Sequence, residues 1–307
     1  MKKRIIFYVA LFLLFGNAVH AQAPFFRMGD GHIKLKNTHN GREISVQYVN
    51  ADGSLNETAY QQIDNVFGFP TGEKGENISR RLISLLDYFV DEIDPEKVIY
   101  ITSGYRSSSY NQKLRDKGKT AAKTSTHIDG MALDFYLEGR TPQDAKALWE
   151  KIRALDCCGV GHYGGKNIHL DAGRPRFWQQ ATAKVHTEEP AHNRFIYYST
   201  EYDRYKAGDA FRSFFTSISD FGFGIKNTLE IVTDDEKSKK VAKVKINASV
   251  NNSCLPVVQR KTARFIQATL PETLKPGRYR VKVSFCDRPF DDMPEEKLSN
   301  PIEIVAK

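Results

Sequence analysis

Three side chains of metal-ligand type, set in short stretches of alternating hydrophobicity, constrain this chain most. His127 stands near the start and Asp134 at the end of T-H-I-D-G-M-A-L-D, and His169 stands in N-I-H-L-D. Two imidazoles and one carboxylate offer zinc three ligands and leave the fourth position open. That is the arrangement of catalytic rather than structural zinc, and it points to hydrolysis. Strand periodicity in G-M-A-L-D-F-Y-L sends Met131, Leu133, Phe135 and Leu137 to one face and Ala132, Asp134 and Tyr136 to the other. In N-I-H-L-D the same rule buries Ile168 and Leu170 and sets His169 and Asp171 on the opposite face, roughly 7 Å apart along the strand. One of that pair can hold zinc while the other handles protons. Any one of these residues alone reads as an ordinary polar group; the three together carry the reading. A ligand histidine needs an acceptor for its other ring nitrogen, and for His127 either Asp129 or a backbone carbonyl can serve.

Residues 1–21 read as a secretory signal: Lys2, Lys3 and Arg4, an apolar run from Ile5 to Phe15, and Val19-His20-Ala21 as the cleavage site. The run is short for a membrane span, and no other segment is apolar enough to be one. The expectation is a soluble protein in an oxidising, exported compartment, the periplasm. The 286 residues that remain (307 less 21) suggest two domains with a core each. Three of the positive charges behind the formal +8 lie in the signal. The mild basic excess left fits an anionic polymer such as cell wall or simple solubility. No basic tract or recognition helix accompanies it, which argues against nucleic acid as a partner. Four cysteines are compatible with disulfides after export; Cys254 and Cys286 form the preferred pair. Adjacent Cys157 and Cys158 would make a strained bridge, so they are free or one pairs elsewhere.

Along the chain, two strands over Ile33–Tyr48 precede helices over Glu57–Val66 and Asn77–Ile93, the second with Ile78, Leu82, Leu85, Leu86, Phe89, Val90 and Ile93 at helical spacing. Lys97–Thr102 reads as a buried strand delivering Ser103-Gly104-Tyr105-Arg106 to its end. Ser108–Lys117 and Pro142–Leu155 read as helices, the latter capped by Thr141 with Pro142 in its first turn. Gly159–Tyr163 reads as a glycine turn leading into the His169 strand. Between Gln179 and Asn193 the sequence turns polar and aperiodic, a linker over 179–193. Beyond it, six short alternating stretches with Pro-Gly turns imply a smaller all-β, sandwich-like domain over 194–307. Its aromatics, from Phe195 to Phe223, suit core packing better than exposed sugar-stacking platforms.

S-G-Y-R-S (103–107), Asn111, S-T-H-I-D-G-M-A-L-D (125–134), G-V-G-H-Y (159–163) and I-H-L-D-A-G-R-P-R-F-W (168–178) together resemble the zinc murein peptidases, exported D,D-carboxypeptidase-like and murein endopeptidase proteins. The likeness runs from about Ile33 to Trp178. It implies an α+β fold over 22–178 with an antiparallel sheet, one Zn2+, and cleavage of amide bonds in peptidoglycan peptides. It implies His127, Asp134 and His169 as ligands and Arg106 as the substrate-side cation, stabilising an oxyanion or clamping a stem-peptide carboxylate. Many relatives place an acid three positions before the last zinc histidine, where this chain has Lys166. Asp171 is therefore the candidate base, with orienting His169 as its alternative role. Tyr105 and His162 are candidates for substrate contact. A wall-binding protein without chemistry is the competing reading, and another is an adaptor whose β domain recruits a protein partner.

Overall fold

The structure, a computed structural model, describes residues 23–69, 77–119, 121–183, 192–248 and 252–306. The expected signal segment lies outside the described residues. Its first part is built from β1 (His32–Asn37), β2 (Glu43–Gln47), α1 (Glu57–Phe67), α2 (Arg80–Asp91), β3 (Ile99–Ser103), α3 (Ser108–Asp116), β4 (Ala132–Leu137), α4 (Pro142–Ala154), β5 (Gly159–His162), β6 (Ile168–Asp171) and β7 (Arg176–Gln179). The helices start where side chains can satisfy free backbone N–H groups. Asn56 accepts from Ala59, Ser79 from Leu82 and Ser107 from Tyr110, while Thr141 and Asp144 form a reciprocal capping box on α4. Helix α2 begins later than periodicity alone predicts. Ile78 is buried, but its N–H is taken by the Asp64 carboxylate at 2.8 Å, and the helix starts only after the Ser79 cap.

The seven strands form one sheet in the order β2-β1-β3-β4-β6-β5-β7. It is mixed rather than antiparallel: β1 pairs β3 and β5 pairs β7 in parallel. The β1–β3 pair needs a crossover, which the segment carrying α1 and α2 supplies. Helical and strand faces meet in one core containing Leu35, Ile63, Leu82, Phe89, Phe135, Trp149 and Leu170. That core occupies one face of β4 and β6, which leaves the other face of these central strands for polar chemistry.

The second part comprises β8 (Tyr197–Thr200), β9 (Arg204–Lys206), β10 (Ala210–Thr216), β11 (Phe223–Lys226), β12 (Thr228–Thr233), β13 (Lys240–Lys245), β14 (Cys254–Val257), the single-turn α5 (Arg260–Arg264), β15 (Ile266–Thr269), β16 (Gly277–Asp287), β17 (Glu296–Leu298) and β18 (Ile302–Val305). A three-stranded sheet, β15-β10-β8, and a larger one centred on β16 share a core that includes Tyr198, Phe215, Phe223, Ile231, Val281 and Ile302. Cys254 and Cys286 are disulfide-bonded between β14 and β16, with Cα atoms 5.8 Å apart. Cys157 and Cys158 are free thiols, their sulfurs 2.9 Å apart. Where a linker is expected, β7 continues to Gln179 and a short 3-10 turn spans Gln180–Thr182; residues 184–191 lie outside the described residues.

The two parts are joined by ion pairs and hydrogen bonds. Arg81 pairs with Asp203 and donates to the Thr200 carbonyl, Arg260 pairs with Asp129, and Arg264 donates to the Ile128 carbonyl at 2.8 Å. The last two contacts reach the loop that carries His127.

Candidate metal centre

Strand pairing brings the ligand-type residues together. Asp134 on β4 and His169 on β6 are directly opposed in the antiparallel register, on the face away from the helices. Cross-strand neighbours on one face lie within side-chain reach of each other. His127 arrives from the tight turns of residues 125–131, where Gly130 takes a φ of +65° and any Cβ would meet the Phe69 ring at 2.8 Å. Asp134 Oδ1 lies 3.0 Å from His169 Nδ1, Asp134 Oδ2 lies 3.4 Å from His127 Nε2, and one ligand atom from each residue lies within 4.8 Å of the others.

The remaining ring nitrogens are already spoken for. His127 Nδ1 donates to the Gly104 carbonyl at 2.8 Å, and His169 Nε2 to Asp171 Oδ2 at 2.9 Å. Each contact fixes a tautomer with its lone pair on the nitrogen nearest Asp134, as a metal requires. The donor set therefore fits a divalent cation, and borderline-soft zinc suits two imidazoles and a carboxylate. Between the two candidate acceptors for His127, the carbonyl is the one used. Gly104 presents it because the chain passes so close to Phe67 that a Cβ would fall 2.6 Å from its carbonyl oxygen. Asp129 instead serves Arg260.

Electrostatics follow from the same contacts. Burial pushes the Asp134 carboxyl up, but His127 and His169 outweigh it and hold the group far below the usual range. Burial lowers His127. Burial also pulls His169 down, yet Asp134 and Asp171 together raise it. Asp171 is fully buried; Arg176 and His169 overcome its desolvation and keep it ionised. Its oxygens accept from Arg176 at 2.7 and 3.0 Å, from His169, and from the Gly173 N–H at 2.9 Å. Of the two roles the sequence leaves open for Asp171, base or orienter of His169, these contacts favour the second: the carboxylate is buried, carries several donors and lies on the far side of His169 from Asp134. Gly159 makes room for it, since a Cβ there would come 2.2 Å from the carboxylate.

Arg106, also expected at the site, lines the cleft above these groups. It donates from Nη2 to Asp134 Oδ2 at 3.0 Å and from Nε to Ser103 at 2.9 Å. His162 does not reach the cleft. The stretch read as a turn is strand β5, and its pleat sends Gly159 and Gly161 toward the site and His162 to the opposite side, beside Trp149 and bonded to the Gly165 carbonyl. Tyr105 is not among the cleft-lining residues either; its ring packs on Phe69 with centroids 4.4 Å apart. Sequence reasoning gave no role to Tyr163 and Trp178, which do line the cleft. The alternation that removes His162 was the signal for Tyr163, two residues from Gly161. Trp178 fills the space Gly161 leaves and its ring lies 4.9 Å from that of His169. Burial pushes the Tyr163 phenol well up, so it stays protonated.

The cleft has a volume of about 200 Å³, and its walls come from both parts of the chain: Phe195, Ser217 and Ser219 face it from the C-terminal side. A second acidic group, Asp30, Asp87 and Asp91, also brings three carboxylates within 4.8 Å, with no histidine among them.

Residues 28–178 match the family model described as peptidoglycan L,D-endopeptidase MepK. The peptidoglycan L,D-endopeptidase MepK of Escherichia coli K12 is 29% identical over 147 residues, covering 48% of this chain and 79% of that protein. The probable peptidoglycan L,D-endopeptidase MepK of Haemophilus influenzae is 39% identical over 82 residues, 26% of this chain and 42% of that protein. The match stops where β7 ends, leaving the C-terminal β part outside it. Residues 28–178 are thus similar to the peptidoglycan endopeptidases that the motifs resemble.

Proposed function

We propose that the protein is an exported zinc-dependent peptidase that hydrolyses amide bonds in peptidoglycan peptides, with His127, Asp134 and His169 as metal ligands. The observation that carries this reading is the convergence of those three groups with both imidazole tautomers preset by Gly104 and Asp171. Zinc, when bound in such a set, supplies a Lewis acid and a water acidified toward neutral pH. Arg106 steadies Asp134 and places positive charge where an amide oxygen gains negative charge. Tyr163 is the neutral donor that the cleft offers to that oxygen or to a departing amine. Asp171 keeps His169 oriented. The matched relatives are named L,D-endopeptidases, so the L,D class is the first bond to test, ahead of a terminal D-alanine or a D-alanyl cross-link. We divide the chain into a signal (1–21), a peptidase domain (22–178), a linker (179–193) and a β domain (194–307), with the periplasm as its place of action.

A wall-binding protein without chemistry is the second reading. One observation favours it: among the described residues, no uncommitted carboxylate lines the cleft, and Lys166 stands exposed in the β5–β6 turn. Incubating zinc-loaded protein with defined muropeptides, beside His169→Ala, decides between them. Cleavage products from the wild type alone support the peptidase. Binding without products from either supports the second reading, and equal products from both defeat the metal site.

A further inference from the structure

Three guanidinium groups line the cleft, and they are not equivalent. Arg106 is ion-paired with Asp134 and Arg176 with Asp171. Arg174, half-buried two residues before Arg176, has no carboxylate partner among the described residues. Its guanidinium lies 4.7 Å from the ring centroid of Phe195, a residue of the C-terminal part that is 43% exposed and carries Arg194 at the same distance. Stacking on an aromatic ring occupies the face of a guanidinium and leaves its N–H edge for hydrogen bonding. The surroundings add positive charge. Burial and Arg176 lower Arg174, with Asp171, which is itself bonded to Arg176 and His169, acting the other way; Lys297 on β17 is lowered by burial and by Arg174. A partly desolvated cation among like charges is unfavourable unless an anion joins it.

We propose that Arg174, braced by Phe195, is a specificity-determining residue that binds a free carboxylate of the substrate peptide. The inference rests on the peptidase reading for the identity of the substrate, and the geometry rests on the shared cleft. A planar fork with a free edge matches a carboxylate in two parallel hydrogen bonds, which an amide in the same place cannot reproduce. The C-terminal part thereby joins in substrate selection although it lies outside the family match: it supplies the platform that sets the direction of Arg174. Ser217, with φ 57°, closes the same side of the cleft.

The test compares a stem-peptide fragment ending in a free carboxylate with its C-terminal amide. Binding of each to the full-length zinc-loaded protein is measured by calorimetry, and hydrolysis of the corresponding longer pair of substrates is followed in parallel. A charge-assisted bidentate contact predicts about a tenfold preference of the wild type for the free acid. Arg174→Gln, which keeps length and polarity, is expected to bring both the binding ratio and the KM ratio close to unity, and Phe195→Ala to lose part of the preference. A preference that survives in Arg174→Gln, or its absence from the wild type, overturns the proposal. Wild type that binds with the predicted preference but cleaves neither substrate leaves the carboxylate site standing and removes the peptidase reading.

Discussion

Buried carboxylates in two acid clusters of the same half of the molecule shift in opposite directions. At the candidate metal centre, half-buried Asp134 and fully buried Asp171 stand among His127, His169, Arg106 and Arg176, and both are held ionised below the normal carboxylate range. Among the described residues, none of Asp30, Asp87 and Asp91 has a lysine or arginine salt-bridge partner. Burial pushes Asp87 from 3.8 up to about 7, against hydrogen bonds from the Tyr48 hydroxyl at 2.6 Å and the Gly31 N–H at 3.1 Å. The difference teaches that depth alone does not set the charge of a carboxylate here. Fixed cationic partners do, and they stand where metal chemistry requires an anionic ligand.

The contrast breaks most visibly if a ligand is removed. Asp134→Ala and His169→Ala should each lose stoichiometric zinc, measured by elemental analysis, and fall to background hydrolysis of muropeptides. Retained metal and turnover in either variant would sink the site.

The opposite cluster predicts a pH effect. The folded-state value of Asp87 lies above its unfolded one, so its contribution to stability is complete below pH 3.8 and is lost as pH rises through about 7. Wild type should therefore lose about 2–4 kcal/mol between those limits. Asp87→Asn should flatten that loss in urea unfolding curves taken from pH 4 to 8. The site carboxylates act with the other sign: their depressed values contribute stability above 3.8 that disappears in more acidic solution.

Asp171→Asn sharpens the comparison at the metal centre itself. Removing the anionic acceptor behind His169 should weaken zinc binding about 10- to 100-fold, as read by competition with a chelator. Unchanged affinity would show that Asp171 serves only Arg176 and the Gly173 N–H. Asp129 is a third, intermediate carboxylate, raised by burial despite Arg260 and Arg264. Arg260→Ala leaves it with fewer partners and should cost about 1–2 kcal/mol in the same unfolding experiment.

Much of this site was legible in the sequence because strand alternation is a strict rule. Asp134 and His169 were placed on polar faces by counting, and β4 and β6 put them opposite each other. The same rule, withheld from Gly159–Tyr163 because glycines suggested a turn, cost the reading both His162 and Tyr163. Those glycines mark space for Asp171 and Trp178, not chain reversal. The role of Asp171 was illegible for another reason. Sequence placed it beside His169 but could not show that Arg176 and the Gly173 N–H already occupy its oxygens. The parallel pairing of β1 with β3 and of β5 with β7 depended on long-range registration that local periodicity does not encode. Among the aromatics assigned to the second core, Tyr198, Tyr205, Phe211, Phe215 and Phe223 are buried, whereas Phe195 lies open at the cleft.

The bond from Arg260 to Asp129 has a consequence for how such a molecule can change over generations. Swapping in a foreign tail that lacks the arginine would strip a buried anion two positions from His127 of its counter-charge. The two halves are thus poor candidates for independent shuffling, and an exchange of one would demand a matching alteration in the other.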